Sequence, residues 1–249
     1  MSGFRAFFAI AILVLAGACS VPGPGQAPDG IWDPNETANR KVHAFNTRID
    51  EKLLRGTGGG YADKVPEDVQ MVVTNVADAV SLPATVVNQL LQGRLVDASR
   101  NTLRFTINAT LGFGGMFDPA TEAGLPKDES DFGATLAAWG VPEGGYLVLP
   151  IVGPSTERDA VGRVVDLFTN PLDRVLTVPQ RRTKTAFVLL DKVGSRGQYA
   201  ATVDGVLYDS ADSYAQLRLI YLQNRRFELG EEAPAADVID PTEIDTTGF

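Results

Sequence analysis

Arg94 to Leu111 reads RLVDASRNTLRFTINATL. Asp97, Arg100, Asn101, Arg104 and Asn108 recur there at three- and four-residue steps, so a helix stacks them into one narrow polar stripe. Leu95, Val96, Ala98, Leu103, Phe105, Ile107 and Ala109 fill the rest of the circumference. A surface helix ordinarily carries a polar face at least as wide as its apolar one. Two arrangements fit this inverted proportion. In one, the helix is packed on three sides in a globular core and its seam meets solvent. In the other, it touches lipid outside and turns its ionisable residues to a water-filled passage.

Helical periodicity continues on both sides. Val42, Phe45, Ile49 and Leu53 form one apolar stripe, which the glycine run Gly56 to Gly60 is expected to end. Val69, Val72, Val73, Val76 and Val80 repeat the pattern, and Pro83 is expected to break or restart that helix. Val86, Val87, Leu90 and Leu91 continue it to a stop at Gly93. Thr185 to Val193 and Tyr214 to Phe227 are further helices, and Tyr146 to Pro150 reads as a short strand or extended piece. Gly112 to Pro154 holds nine of the 25 glycines and five of the 15 prolines, with large apolar residues interspersed. It reads as ordered turns rather than disorder. The fold class is all-α, built of amphipathic helices joined by short irregular Gly/Pro-rich segments.

The termini are different in kind. Arg5, the apolar run Ala6 to Leu15, and Ala16-Gly17-Ala18 before Cys19 read as a cleaved export signal. The run is too short for a bilayer, which needs roughly 20 apolar residues. The expected divisions are a signal peptide 1–18, a lipidated Cys19 with a flexible tether to residue 30, a helical domain 31–230 and an acidic disordered tail 231–249. Lipidation removes the otherwise reactive lone thiol, and with one cysteine there is no intrachain disulfide. The formal charge is −9, but seven acidic and no basic residues lie from Glu228 to Phe249, which leaves the rest of the mature chain nearly balanced. No basic patch suggests nucleic acid.

Motifs for covalent chemistry are missing. His43 is the one histidine, which with a single cysteine excludes zinc sites built on those residues. Gly153-Pro154-Ser155-Thr156-Glu157 lacks the second glycine of a nucleophile elbow. Gly112-Phe113-Gly114 lacks the third glycine of a dinucleotide fingerprint. Asp128, Glu129 and Asp131 lack the spacing of a calcium loop. No cofactor, metal or catalytic residue is expected, and an enzyme is the weakest of the classes considered.

Four segments in order carry a resemblance. The first runs from Asp33-Pro34 through Asn39-Arg40 to Phe45-Asn46. The second is Arg104 to Pro119, with Gly112, Gly114, Gly115, Asp118 and Pro119. The third starts at Phe132-Gly133 and passes Trp139-Gly140 and Tyr146 to Pro150, and the fourth is Gly153-Pro154-Ser155 with Arg158-Asp159. Behind a lipobox, these resemble the VacJ/MlaA family of outer-membrane lipoproteins. The resemblance implies a ring- or disc-like, monotopic helical protein in the periplasmic leaflet of the outer membrane. It implies an amphipathic channel that removes phospholipid misplaced in the outer leaflet and passes it to a periplasmic carrier of the Mla system. A trimeric porin is the implied partner. The polar stripe from Asp97 to Asn108 is then the candidate channel lining, with Arg100 or Arg104 pairing with a phosphate. The other reading is an adaptor lipoprotein that binds porin or another envelope protein without moving lipid.

Overall fold

The computed structural model describes residues 21–23, 26–27 and 30–231. Cys19, the export segment and the tail past residue 231 lie outside the described residues. Helix α1 (Glu36–Ile49) runs through a π-helical turn (Asp50–Leu54) into α2 (Arg55–Lys64). Then come α3 (Glu67–Leu91), α4 (Leu95–Thr110) and the short α5 (Pro119–Glu122) and α6 (Phe132–Ala138). Strands β1 (Tyr146–Leu149) and β2 (Gly153–Thr156) form an antiparallel hairpin. After it follow α7 (Glu157–Thr169), α8 (Leu172–Val175), α9 (Val178–Gln198), α10 (Ala200–Leu207) and α11 (Ser213–Leu229). The chain is mostly helical, as expected, and the extended piece at Tyr146 pairs with a second strand that carries no apolar alternation.

Two expected helix breaks are corrected. Gly56 to Gly60 does not end a helix but lies inside α2. One of its glycines serves close packing: a Cβ on Gly58 would stand 2.9 Å from the Val193 carbonyl oxygen, and one on Gly197 of α9 would stand 2.0 Å from the carbonyl oxygen of Gly58. Helices α2 and α9 therefore touch backbone to backbone, where any side chain would force them apart. Pro83 does not break α3, which runs unbroken past it and packs against both α4 and α9. Tertiary contact outweighs the proline's lost hydrogen bond there. Gly93, at φ +76°, follows the end of α3 as expected.

Among the described residues two apolar centres occur, one of Phe132, Leu136 and Val165 with Val141 and Val161 packed on it, the other built around tyrosines. Tyr146, Val148, Tyr214 and Leu222 are buried together between β1 and α11, with Ile31, Val42 and Tyr221 packed on them. Tyr146 and Tyr214 meet edge to face at 5.9 Å. Helix α1 closes this centre with its polar side. Asn39 donates to the Tyr146 carbonyl at 2.9 Å and accepts from the Val148 amide at 3.0 Å. Asn46, two turns on, donates to the Leu149 carbonyl at 2.9 Å and accepts from the Ile151 amide at 2.8 Å. The two carboxamides satisfy the free edge of β1 as a third strand would. The apolar stripe of α1 is split: Val42 packs on this centre, whereas Phe45 and, beyond the helix, Leu53 are exposed, and Asn39, His43 and Asp50 are buried.

Candidate functional site

The stripe foreseen on α4 exists, and it faces the protein. Asn101, Arg104 and Asn108 are buried, whereas Leu95, Val96, Leu103 and Leu111 are exposed. The seam binds the segment that follows. Arg104 donates to Asp118 at 2.9 Å, to Thr121 at 3.1 Å and to the Leu125 carbonyl. Asn108 donates to Asp118 at 2.8 Å and accepts from the Ala120 amide at 3.2 Å. Asn101 donates to Gln89 on α3 at 3.0 Å and to the Asp128 carbonyl at 2.8 Å. Burial pushes the Asp118 carboxyl up, but hydrogen bonds from Thr121 and Asn108, with the Arg104 charge, outweigh it and hold the group below the usual carboxylate range.

Arg104 is therefore only 3 % exposed and engaged by its own chain, which corrects its expected role as a phosphate partner in this conformation. Arg100 and Asp97, one and two turns toward the N-terminus, form a 3.0 Å ion pair, and the Arg100 side chain keeps 33 % of its surface open. The motif glycines allow the loop after α4 to fold back. A Cβ on Gly112 would meet the Phe117 carbonyl oxygen at 2.4 Å, and one on Gly115 would meet Ala79 of α3 at 2.6 Å. This turn also holds Phe113 at φ +52°, exposed, with its ring against Phe117.

The remaining motif residues lie in two further networks. Asp33, next to Pro34, accepts from Asn39 at 2.9 Å, from Arg218 at 2.7 Å and from the Tyr214 hydroxyl. Arg40 grips Asp212 with both terminal nitrogens and lies over the Tyr214 ring at 4.4 Å. His43, the lone histidine, bonds Ser213 at 2.9 Å and is structural; burial lowers its pKa. In the second network Arg225 of α11 spans Asp131, at 2.7 Å, and the buried Asp159, at 3.0 Å. Gly133 makes room for this, since a Cβ there would stand 2.4 Å from Asp159 Oδ1. Phe132 stacks edge-on with Trp139, whose indole donates to the Leu91 carbonyl at 3.1 Å. Gly140 and Pro150 lie at turns and Gly153 opens β2, with φ +82° at Gly140 and +92° at Gly153.

Sequence reasoning missed a slot of about 540 Å³ between α2, α3 and α9. Tyr61 and Ala62 line it from α2, Gln70, Met71, Thr74 and Asn75 from α3, and Asp191 and Ser195 from α9. Thr74 donates to Asp191 at 2.8 Å. The Tyr61 hydroxyl is buried without a partner, and burial, then the nearby Asp191 charge, raises its pKa. A Cβ on Gly194 would stand 2.9 Å from the Tyr61 ring, so the glycine lets that ring lie flat against α9. Among the described residues no cluster of metal-ligating side chains occurs. One described helix, α3, is long and apolar enough to cross a membrane. Its Thr85, Asn88 and Gln89 are nonetheless buried in protein contacts.

Known proteins share this fold and sequence. The family model described as MlaA lipoprotein matches residues 31–228. The intermembrane phospholipid transport system lipoprotein MlaA of Escherichia coli is 32 % identical over 213 residues, 84 % of this chain and 82 % of that protein. An uncharacterised protein of Rickettsia bellii is 35 % identical over 196 residues, 78 % of this chain and 76 % of its own. A solved structure, described as the structural basis for maintenance of bacterial outer membrane lipid asymmetry, superposes with a TM-score of 0.68 at 31 % identity, covering 79 % of this chain and 98 % of that one. With its whole helical core inside that match, the chain belongs to the MlaA lipoprotein family.

Proposed function

We propose that this protein is an outer-membrane lipoprotein that takes phospholipid misplaced in the outer leaflet and passes it, through a polar-lined passage, to a periplasmic lipid carrier. The observation that carries the proposal is the inversion of α4: its polar seam is bonded inside the protein while Leu95, Val96 and Leu103 stand outside. In water such a face costs free energy; in a leaflet it is the favoured one. Leu167, Phe168 and Val164 on α7 and Phe113 after α4 extend the outward apolar surface. The helical domain then lies in the inner leaflet as a monotopic disc, Cys19 adds acyl anchoring, and a trimeric porin supplies access to the outer leaflet. Asn101, Arg104 and Asn108 hold the wall of the passage, Arg100 with Asp97 offers the open arginine edge, and the slot between α2, α3 and α9 is its polar part. No covalent step is required.

Arg100→Ala tests this without touching the buried seam. Surface-exposed phospholipid in cells should rise while protein level stays normal. Normal lipid asymmetry in that variant would refute the role of Arg100. A purified wild-type protein that retains no phospholipid by mass spectrometry would refute transport itself and leave the adaptor.

A further inference from the structure

We infer that α8 and the first half of α9 form an interfacial arm that binds the phosphates of anionic phospholipids at the leaflet surface. The inference rests on the proposed residence of the helical domain in the leaflet and adds a lipid class to it. From Leu172 to Leu190 no residue is buried. Val175, Val178, Leu189 and Leu190 are exposed there. The helix nonetheless has a firm start, since the Thr177 amide donates to the Gln180 side chain at 2.9 Å. Helices in proteins are stabilised mainly by packing of one face, so a half without a buried side chain takes that packing from another phase. The charges indicate which phase. Arg174, Arg181, Arg182 and Lys184 lie between residues 174 and 190 with no acidic residue among them, in a chain of formal charge −9. Lys184 is taken up by Asp173 at 2.5 Å. Arg181 donates to the Asp173 main-chain carbonyl at 3.1 Å, which leaves its charge unanswered. None of these three arginines is in an ion pair among the described residues, unlike Arg104, Arg196 and Arg225. Free cations also occur at Arg48 and Lys52, but there Asp50 and Glu51 lie between them.

The geometry combines the free arginines with an apolar floor. Val178, Arg181, Arg182, Thr185, Ala186 and Leu189 border an open groove of about 440 Å³ along one face of α9. By helical spacing Arg181 and Arg182 stand on opposite sides of the line from Val178 to Leu189. Their stems lie on apolar surface while their guanidinium groups reach outward, the arrangement of a basic helix in a membrane interface. A phosphate oxygen accepts from either guanidinium, and an acyl chain follows the aliphatic line between them. That aliphatic floor fits lipid and not the polar strand of a nucleic acid. A zwitterionic headgroup carries its own ammonium beside the phosphate, whereas an anionic headgroup leaves the arginine as the nearest cation. Each arginine near an anionic surface then raises binding by about fivefold. The arm shares no residue with the α4 seam or with Arg100, so lipid held here is separable from lipid in the passage.

The test uses the full-length lipoprotein in vesicles of phosphatidylethanolamine and phosphatidylglycerol in equal amounts, with bromine on the acyl chains of one lipid or the other. The one native cysteine, Cys19, carries the acyl anchor on the proposed reading, so Thr185→Cys takes a thiol-reactive fluorophore at a single place. Val96→Cys, on the outer face of α4, carries it in a parallel sample. At position 185 brominated phosphatidylglycerol should quench about two- to fivefold more strongly than brominated phosphatidylethanolamine. At position 96 the two should quench equally. Adding Arg181→Gln/Arg182→Gln should bring the two lipids to parity at position 185, and Arg181→Lys/Arg182→Lys should keep most of the preference. Equal quenching at position 185 without these changes, or a preference that survives the glutamines, overturns the inference. Quenching at position 96 with none at 185 overturns the arm alone. If quenching at 185 then appears on removal of residues 232–249, the acidic tail and not lipid occupies the groove. Quenching at neither position overturns the leaflet residence beneath the inference.

Discussion

The tyrosine centre and the α4 seam bury their residues by opposite rules. At the centre, Tyr146, Tyr214, Val148 and Leu222 leave solvent together, and α1 turns its asparagines inward only to satisfy the edge of β1. At the seam, what leaves solvent is Asn101, Arg104 and Asn108, and what stays outside is Leu95, Val96, Leu103 and Leu111. The first region is stabilised by removing apolar surface from water. The second is held by a directional network in a low-dielectric interior, and its apolar surface is left for another phase. One chain thus contains a region built on apolar burial and a region that, on the proposed function, is complete only beside lipid.

The largest effect should come from the tyrosine centre, where leucine truncations sharpen the contrast between the two regions. Leu222→Ala there should cost about 2–5 kcal/mol, as removal of a buried leucine from packed surroundings does. Leu103→Ala should stay within about 0.5 kcal/mol in detergent, since its side chain is half exposed. Equal costs at the two sites would mean that α4 is covered by protein rather than lipid.

Breaking the seam should come next. Arg104→Ala takes the cation from the partly exposed Asp118 and the donor from the Leu125 carbonyl, and loss of such charge-assisted hydrogen bonds costs about 1–3 kcal/mol. Denaturation in detergent should show that loss, and protein level in cells should fall with it. Replacing both members, as Arg104→Met/Asp118→Leu, should recover much of the stability, because no charge is then stranded. If Arg104→Ala melts like wild type, the seam is not what holds the 118–128 segment.

Acid should loosen both regions, with the sign set by their depressed carboxylates. Burial pushes Asp159 up, yet the Arg225 charge and hydrogen bonds from Arg225 and Tyr221 outweigh it and leave it below its ordinary value. The same holds for Asp118. A group depressed in the folded state stabilises above its unfolded pKa, about 3.9 for Asp, and that contribution is lost as pH falls through the folded value. Melting temperature in detergent should therefore be flat near neutrality and fall below about pH 4. Arg225→Met should remove much of the part due to Asp159 and leave the part due to Asp118.

The helices and the polar stripe of α4 were legible because their signal is local: a three- and four-residue period shows up in any stretch long enough to repeat. Which face turns inward was not. Periodicity separates two faces but does not name the solvent on either side, so one apolar stripe holds Val42, which packs on the tyrosine centre, and Phe45 and Leu53, which are exposed. Gly58 read as a stop because its reason, the backbone of Gly197 against it, lies 139 residues away. Strand β2 reads Gly-Pro-Ser-Thr and is a strand only through its partner β1. The slot was illegible for the same cause. Tyr61 and Asp191 come from distant helices, and neither belongs to a pattern that chemistry requires.

The smallest effect is also the one that most directly separates the two regions. Val96→Ser and Leu103→Ser exchange exposed apolar groups for polar ones on the outer face of α4, away from Arg104 and its partners. Each should leave the detergent melting temperature nearly unchanged, since no packed contact is lost. Each should nonetheless weaken partition of the protein into phospholipid vesicles by about 1 kcal/mol, the transfer value of a partly buried leucine-sized side chain. That is roughly a fivefold change, and flotation on a density gradient resolves it once both substitutions are combined. The comparison must be made with the acyl anchor equal in all samples, because acyl chains alone hold a protein to a bilayer and would mask the difference. Partition that is indifferent to both serines would show that the outer face of α4 meets a protein partner, and the asymmetry between the two regions would then describe an interface rather than a leaflet.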